Sequence, residues 1–217
     1  MARIAVANRI ASTRTNSIVY NGNFEVKPGT ITAATNTANR WIDGTAAGSA
    51  AKLAFGWSAP SAGSGVGANG EMGFDTSVFR NGLASMKLSN LNSSGAVTAS
   101  SLRAASPGTS TAFELFLLKA NTSYTLTGYI RTNNVPTNGA FIDLRQFSSS
   151  FATLATSSTN KLSGTDTSWR KVTLTLTTNA SAVFGCLFLR NNVAGNTCDA
   201  WFDSVELVPS LTGRVSA

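Results

Sequence analysis

The amino-acid sequence predicts an all-β protein, and three observations lead to that fold class. Apolar residues alternate with Thr, Ser or charged residues over many short segments, as in strands that bury one face. Clusters of Asn, Gly, Ser and Thr separate these segments, and such clusters form turns. No long segment has apolar residues at helical spacing. Short strands at this spacing predict a β-sandwich.

Six segments carry the clearest strand pattern. In chain order they are 85–88, 124–131, 141–147, 171–177, 183–190 and 201–208. The strongest alternation is at 171–177, where Val172, Leu174 and Leu176 would share the inward face. Turns are expected between the strands, at 133–139, 163–166 and 191–196.

The chain length suits one large domain. A chain of 217 residues buries roughly 70% of its unfolded surface on folding, so its core needs no metal or disulfide scaffold. We expect the domain to run from 18 to 209, behind an N-terminal arm of residues 1–17 with three arginines and ahead of a polar tail at 210–217. A Gly-, Ala- and Ser-rich stretch at 44–73 is expected to form a long surface loop.

The composition argues against several classes of function. The chain has no histidine, which removes the commonest general base and metal ligand, and its ten acidic residues leave few carboxylate pairs. We therefore expect no enzyme. The net charge is +7, but Lys and Arg are scattered singly, which favours attraction to acidic glycans over specific nucleic-acid binding. No apolar run reaches 18 residues, so no membrane insertion is expected.

The two cysteines allow two interpretations. Cys186 and Cys198 flank residues 187–197. If 186–190 and 198–203 pair as a hairpin, the two sulfurs lie opposite each other, and a cross-strand disulfide would contribute on the order of 3 kcal/mol. The alternative is two buried thiols, because the redox compartment is unknown.

Five segments in a fixed order resemble one kind of carbohydrate-binding module. They read NGNFE at 21–25, GLASMKL at 82–88, LLKANTSYTLTGYIR at 117–131, TSWRKVT at 167–173 and WFDSVEL at 201–207. The resemblance is to modules of the galactose-binding-like jelly-roll type, best known as the cellulose- and xylan-binding modules attached to bacterial glycosidases. It implies a jelly-roll β-sandwich that binds sugars without catalysis.

The resemblance also implies a structural calcium ion where the first and last strands meet. Glu25 and Asp203 match that location and offer hard oxygen ligands. Asp203 interrupts an apolar strand, so a carboxylate buried there needs a partner. Backbone N–H groups or an arginine are the alternative partners.

A sugar-binding face needs flat aromatic rings and polar side chains. Strand alternation places the outward residues of 125–131 and 141–147 on adjacent strands of one face, and two tryptophans in loop-like sequence could add stacking platforms. The predicted ligand-binding residues are Tyr129, Arg131, Asp143, Arg145, Phe147, Trp41 and Trp57. Alternatively, the aromatic residues cover a second hydrophobic layer or a subunit interface. Asp143 is expected to form an ion pair with Arg131 or Arg145 rather than to act in catalysis.

These observations lead to one expectation about function and two alternatives. We expect a virion-surface protein of a bacteriophage, a tail adhesin or a capsid decoration protein, that binds a polysaccharide or cell-surface glycan. The lack of a signal-peptide pattern at the N-terminus motivates this setting, and residues 1–17 would attach the protein to other virion proteins. The first alternative is a structural virion protein whose sandwich face packs on neighbouring subunits in an oligomer. The second is the ancillary module of a secreted polysaccharide-degrading enzyme.

Overall fold

The computed structural model describes residues 17–19, 22–25, 57–58, 70–90, 97–101, 115–191 and 197–210. These residues form strands, turns and short connecting segments, and none of them belongs to a helix that could cross a membrane. The predicted arm at 1–17, apart from Ser17, lies outside the described residues. So do Trp41 and the predicted tail at 210–217, apart from Ser210.

Ten strands are present among the described residues. They are β1 Trp57–Ser58, β2 Gly70–Asp75, β3 Ser85–Asn90, β4 Val97–Ser101, β5 Phe116–Leu117, β6 Ser123–Phe147, β7 Thr153–Ser158, β8 Leu162–Thr177, β9 Phe184–Asn191 and β10 Cys198–Pro209. All six segments with the strongest strand pattern lie in strands over most or all of their length.

Strand β6 belongs to two layers of the sheet. Residues 124–133 of β6 pair with β10, and most of that stretch also pairs with β8, giving the order β2-β3-β10-β6-β8, which we name layer A. Residues 140–147 pair with β9, and 143–147 also pair with β7, giving β1-β4-β9-β6-β7, which we name layer B. Strand β5 adds to β9 in layer B. All these pairings are antiparallel.

The two layers face each other across one hydrophobic core. Leu126 and Ile130 from the first half of β6 share the core with Ile142 and Leu144 from its second half. At Gly128 the layers are so close that a Cβ would lie 2.5 Å from Ile142 Cδ1. The predicted jelly-roll β-sandwich is therefore confirmed, and its long bent strand places the two halves of β6 on opposite sides of the core.

Two predicted turns are continuous strand. Residues 133–139 lie within β6 and residues 163–166 within β8, where they pair with each other through register shifts. Positive φ angles at Asn134 (55°) and Gly164 (79°) absorb the local bend. Asn and Gly thus mark a change of direction here, not the end of a strand.

The predicted β9–β10 hairpin is wrong. Strand β9 pairs with β4, β5 and β6, whereas β10 pairs with β3 and β6, so the two strands lie in different layers. Cys198 lies in the core, and burial raises the pKa of its thiol. Cys186 lies in a separate cluster on layer B. Both are buried thiols, and no disulfide joins them.

Candidate binding faces

The predicted ligand-binding residues lie on two faces of the sandwich. Tyr129 and Arg131 lie in the half of β6 that belongs to layer A, whereas Asp143, Arg145 and Phe147 lie in the half that belongs to layer B. Because inward residues of both halves meet in the core, the outward residues point to opposite surfaces. The prediction of a single face is therefore wrong. We name the two surfaces the outer A face and the outer B face.

The outer B face is formed mainly by alternate residues of β6 and β9. The pairings 141 with 190, 143 with 188, 145 with 186 and 147 with 184 place these side chains on one side of the layer. The residues are Phe141, Asp143, Arg145, Phe147, Phe184, Cys186, Phe188 and Arg190.

A buried ion pair fixes the centre of the outer B face. Asp143 is 3% exposed, and its Oδ2 accepts a hydrogen bond from Nε of Arg190. Its Oδ1 accepts a hydrogen bond from the Ser158 hydroxyl at 2.6 Å. The predicted ion pair of Asp143 is present, but its partner is Arg190 and not Arg131 or Arg145. Both carboxylate oxygens are engaged by these contacts.

Two guanidinium groups flank one aromatic ring on this face. The Cζ atoms of Arg145 and Arg190 lie 4.6 and 5.3 Å from the centre of the Phe188 ring. This distance is typical of cation–π contacts. The Nε atom of Arg145 is buried and has no hydrogen-bond partner within the described structure. Any hydrogen bond from Arg145 to a ligand would therefore have to come from the outer end of its guanidinium group, not from the buried Nε.

An apolar cluster underlies one end of the outer B face. Phe147 is 6% exposed and packs with Cys186 and Phe188, beside the partly buried Leu115 and Phe184. Phe147 is thus part of a second hydrophobic layer, which was the alternative interpretation, and it presents no open ring to a ligand. Trp57 is also buried, at 1% exposure, and packs against Phe24 with ring centroids 5.2 Å apart. The prediction that Trp57 is a surface platform is wrong.

The exposed aromatic ring of the outer B face is Phe151. It lies in the turn between β6 and β7, where its φ of 63° is unusual for a bulky residue. The residue is 40% exposed, and its ring stacks on that of Phe184, with centroids 5.2 Å apart and planes 11° apart. Phe151 and the aromatic residues of β9 were not predicted as site residues from the sequence. A lone Phe after three serines at 148–150 was the available signal.

The outer A face combines aromatic rings with cations. The guanidinium carbon of Arg80 lies 3.5 Å from the Tyr129 ring centre. The Trp201 ring lies 5.1 Å from Nζ of Lys87 and 5.7 Å from Cζ of Arg131. Trp201 is 7% exposed, and its indole N–H donates to Asp75. These rings are covered by cations, so neither offers an open stacking surface.

Three carboxylates hold the loop 76–84 over the outer A face. Asp75 accepts the N–H groups of residues 77 and 78 at 2.7 and 3.1 Å. Asp203 Oδ2 accepts those of residues 80 and 81 at 2.8 and 3.2 Å, and Glu25 accepts those of residues 83 and 84. Each bond joins a full negative charge to a backbone donor, the stronger class of hydrogen bond. The loop is therefore fixed along most of its length.

Glu25 and Asp203 do not fit the calcium site that the resemblance implies. Their oxygens face amide hydrogens, and the described residues contain no group of three His, Cys, Asp or Glu side chains suited to a metal. Asp203 is fully buried, and that burial raises its pKa although hydrogen bonds from residues 80, 81 and 204 oppose the rise. The alternative of backbone N–H partners describes both carboxylates. Calcium binding by this chain stays a prediction.

Comparison with known proteins identifies similar folds only among solved structures. No family model matches the chain, and no curated protein matches its sequence. The Stig cyclase Fisc from Fischerella sp. TAU aligns with a TM-score of 0.57 at 17% identity, over 88% of this chain and 96% of the cyclase. The enzymatically active domain of bacteriophage CBA120 tailspike protein 4 aligns with a TM-score of 0.53 at 12% identity, over 72% of this chain but only 20% of the tailspike.

Carbohydrate-binding modules are also among the similar structures. The CBM22-1 xylan-binding domain of Paenibacillus barcinonensis Xyn10C aligns with a TM-score of 0.49 at 10% identity, over 74% of this chain and 90% of the module. Modules of families 16 and 4 align as well, each with a TM-score of 0.45. A likeness at identities this low concerns the fold alone and leaves function to the chemistry of the site. The sheet pairings and the shared core of the two layers give the chain its jelly-roll β-sandwich fold, and carbohydrate-binding modules are among the solved structures similar to it.

Proposed function

We propose that this chain is a non-catalytic carbohydrate-binding β-sandwich whose ligand lies on the outer B face. The observation that carries the proposal is the exposed Phe151, stacked on Phe184 at the edge of a face that also presents the guanidinium groups of Arg145 and Arg190. The apolar face of a pyranose ring stacks on such an aromatic surface, and its hydroxyl groups accept hydrogen bonds from positioned donors.

The rest of the outer B face supports this proposal by being rigid. The ion pair between Asp143 and Arg190 and the contacts of both arginines with Phe188 hold the polar groups in place. Lys161 lies 4.9 Å from the Phe141 ring and adds a cation at the border. A preorganised face loses little side-chain entropy when a ligand binds, which favours affinity.

The proposal that the face is non-catalytic rests on its chemistry, because a cyclase shares the fold. Asp143 is engaged by Ser158 and Arg190 through both oxygens, and the chain has no histidine to act as a general base. Incubation of the protein with each polysaccharide that it binds should release no new reducing ends. Release of reducing ends that is lost in Asp143→Asn would contradict this part of the proposal.

Two matched phenylalanines test the binding face. Phe151 and Phe79 are each 40% exposed, and Phe79 lies in the loop 76–84 of layer A. We expect Phe151→Ala to weaken binding to a recognised xylan, β-glucan or bacterial cell-wall polysaccharide about tenfold, since loss of one stacking contact is worth about 1.4 kcal/mol. Phe79→Ala should bind like the wild type in the same calorimetric titration. Equal affinity of both variants, or no binding to any polysaccharide by the folded protein, would overturn the proposal.

We further propose that the setting is the surface of a bacteriophage particle, as a tail adhesin or a capsid decoration protein. A phage tailspike domain among the proteins of similar fold and the arginine-bearing segment 1–17 support this setting. Purified particles should contain the protein, and deletion of residues 1–16 should release it. Attachment that survives the deletion would contradict the anchoring role.

The structural alternative makes a different prediction about the outer B face. If this face packs on neighbouring copies, Phe151 is buried in the assembly and Phe151→Ala should lower the molar mass measured by light scattering. If it binds glycan, the variant should lose glycan affinity and keep its molar mass. The ancillary-module alternative predicts that the native protein carries a catalytic partner, which mass spectrometry of the native gene product would identify.

A further inference from the structure

We propose a second binding site on the outer A face, for an anionic group carried by a polysaccharide, either a carboxylate or a sulfate ester. This site lies across the core from the outer B face and does not depend on glycan binding there. Three cations that surround Tyr129 carry the inference: Arg80, Arg131 and Lys171.

The three cations converge on one position of the sheet. Lys171 on β8 is the register partner of Tyr129, and cross-strand neighbours have Cβ atoms about 4.5–5.5 Å apart. Arg131 is two residues farther along β6 on the same face, about 7 Å away. Arg80 reaches Tyr129 from the loop, at 3.5 Å. Side chains of this length can all contact one carboxylate or sulfate group above Tyr129.

These cations have no acidic partner in the part of the chain that the structure describes. Among the described residues the guanidinium group of Arg131 lies near the Trp201 ring and forms no ion pair, and the side chain of Lys171 makes no hydrogen bond or ion pair. The guanidinium group of Arg80 donates to two uncharged groups. One is the Ser204 hydroxyl at 3.5 Å, and the other is the side-chain oxygen of Asn81, in the amide orientation in which the Asn81 nitrogen donates to the backbone carbonyl of Arg80. Three like charges that converge repel one another, and a bound anion would relieve this repulsion.

The acidic residues nearby are engaged elsewhere. Asp199 contacts Lys87 at 3.2 Å and accepts a hydrogen bond from Ser89 at 2.5 Å. Asp203 is fully buried beneath the loop and bonds backbone N–H groups. Glu206 lies on the same face opposite Thr127 and makes no ion pair within the described structure. The unpaired charge beside Tyr129 is therefore positive, with Glu206 as the one unengaged acid close by on the described sheet.

The loop fixes one of the three cations in advance. The backbone N–H of Arg80 is bound by Asp203, and Glu25 and Asp75 hold the two ends of the loop. A guanidinium group that is already in position binds a carboxylate or sulfate with a smaller entropy cost and can do so with two parallel hydrogen bonds. The net charge of +7 attracts acidic polymers generally, and the three cations provide the specific contact.

An acidic polysaccharide fits this face better than a single-stranded nucleic acid. Proteins bind single strands by stacking bases on open aromatic rings. Here Trp201 is 7% exposed and the Tyr129 ring is covered by Arg80. The face therefore offers charge recognition without base stacking.

Matched ligands and matched variants test the site. Polygalacturonate should bind more tightly than its methyl-esterified form if a carboxylate is recognised, and dextran sulfate more tightly than dextran if a sulfate is recognised. For the ligand that binds, Arg131→Gln and Lys171→Gln should each weaken affinity about tenfold, as expected for a lost charged hydrogen bond. Arg170→Gln removes the same charge from the neighbouring residue, which already pairs with Asp166 at 2.9 Å, and should change affinity less than twofold. Glu206→Gln should strengthen binding.

Several outcomes would overturn the second site. Equal weakening by all three cation variants would indicate attraction by net charge alone. Equal binding of the charged and uncharged polymers would exclude recognition of an anionic group, and equal competition by duplex DNA with the same variant profile would indicate a general polyanion surface. Phe151→Ala should leave acidic-polymer binding unchanged, so failure of the outer B proposal and failure of this one give different results.

Discussion

The two outer faces use similar residues in opposite ways. On the outer B face a buried aspartate and an arginine from the neighbouring strand neutralise each other, and both arginines of the face rest on Phe188. On the outer A face the buried aspartate bonds backbone N–H groups of a loop, and Arg80 and Arg131 have no acidic partner among the residues that the structure describes. The partner of the buried carboxylate therefore decides whether the arginine nearest to it is neutralised, as Arg190 is, or left free to bind an anion, as Arg80 is.

This difference has a simple structural origin. Asp143 lies in the middle of layer B, with no described loop folded over it, so a side-chain cation has to compensate its charge. Asp203 lies beneath the loop 76–84, whose N–H groups point toward it. Because these N–H groups compensate Asp203, the guanidinium group of Arg80 remains available above Tyr129.

Among the changes that test this difference between the faces, we expect loss of the buried ion pair to have the largest effect on stability. Arg190→Leu leaves the carboxylate of Asp143, whose side chain is 5% exposed, without its cation. We expect the free energy of unfolding to fall by about 3–5 kcal/mol, as for other buried pairs that lose one partner. Arg170→Leu removes a cation that is 62% exposed and should leave stability close to that of the wild type. Urea titrations of both variants provide the measurement, and equal stability would show that the pair is not essential.

The next effect concerns the loop that distinguishes the outer A face. Gly82 has a φ of +76°, and a Cβ there would lie 2.1 Å from Oε1 of Glu25. Gly164 has a φ of +79°, and a Cβ there would have no atom within 4 Å. Gly164→Ala should therefore lower the free energy of unfolding by about 1–2 kcal/mol, the cost of placing alanine in the left-handed conformation. Gly82→Ala should cost about 1 kcal/mol more, because Glu25 must move away from the N–H groups that it binds. Equal losses in thermal unfolding would mean that Glu25 adjusts without losing those bonds.

The strands of both layers were predictable from the sequence, but the separation of the two faces was not. Alternation at 124–131 and 141–147 correctly identified which residues point outward. The same pattern could not reveal that β6 continues through 133–139 and crosses between layers, because Asn, Pro and Gly in that segment are typical of a turn. Tyr129 and Phe147 were therefore assigned to one surface.

The candidate site was predictable only where a local pattern determines the environment. The motif position of Asp203 indicated a buried carboxylate, and the need for a partner followed from burial. Its actual partners are amides about 120 residues earlier in the chain, and no local pattern encodes them. Trp57 illustrates the same limit, since its glycine-rich neighbourhood is typical of an exposed loop but tertiary packing against Phe24 buries it.

A smaller effect is expected in the pH dependence of stability, which should differ between two acidic residues of the outer A face, Asp203 and Asp75. Burial raises the pKa of Asp203, so the folded protein retains a proton that the unfolded chain has released. This contribution to stability is complete below pH 3.8 and is lost as pH rises through the higher folded value. Asp203→Asn should therefore reduce the decline in stability above that pH. Its amide oxygen can still accept the two backbone N–H groups.

Asp75 should change stability with pH in the opposite direction, because folding lowers its pKa. Burial tends to raise its pKa, but the hydrogen bonds from Ser77, Trp201 and the amides of residues 77 and 78 outweigh burial and lower it. Asp75 therefore contributes stability above its unfolded pKa that is lost as pH falls through the lower folded value. Asp75→Asn should lower stability at neutral pH, and urea titrations across the acid range should show the two variants diverging from the wild type in opposite directions.

The smallest effect is expected from calcium. If Glu25 and Asp203 bind only the loop amides, millimolar calcium chloride should shift the melting temperature by less than about 1 °C, because a ligand stabilises a protein only through a site that it occupies. A shift of several degrees that Glu25→Gln abolishes would show that calcium can replace the amides as the partner of this carboxylate. The loop 76–84 would then depend on an ion, and the outer A face would hold Arg80 in place only when calcium is present.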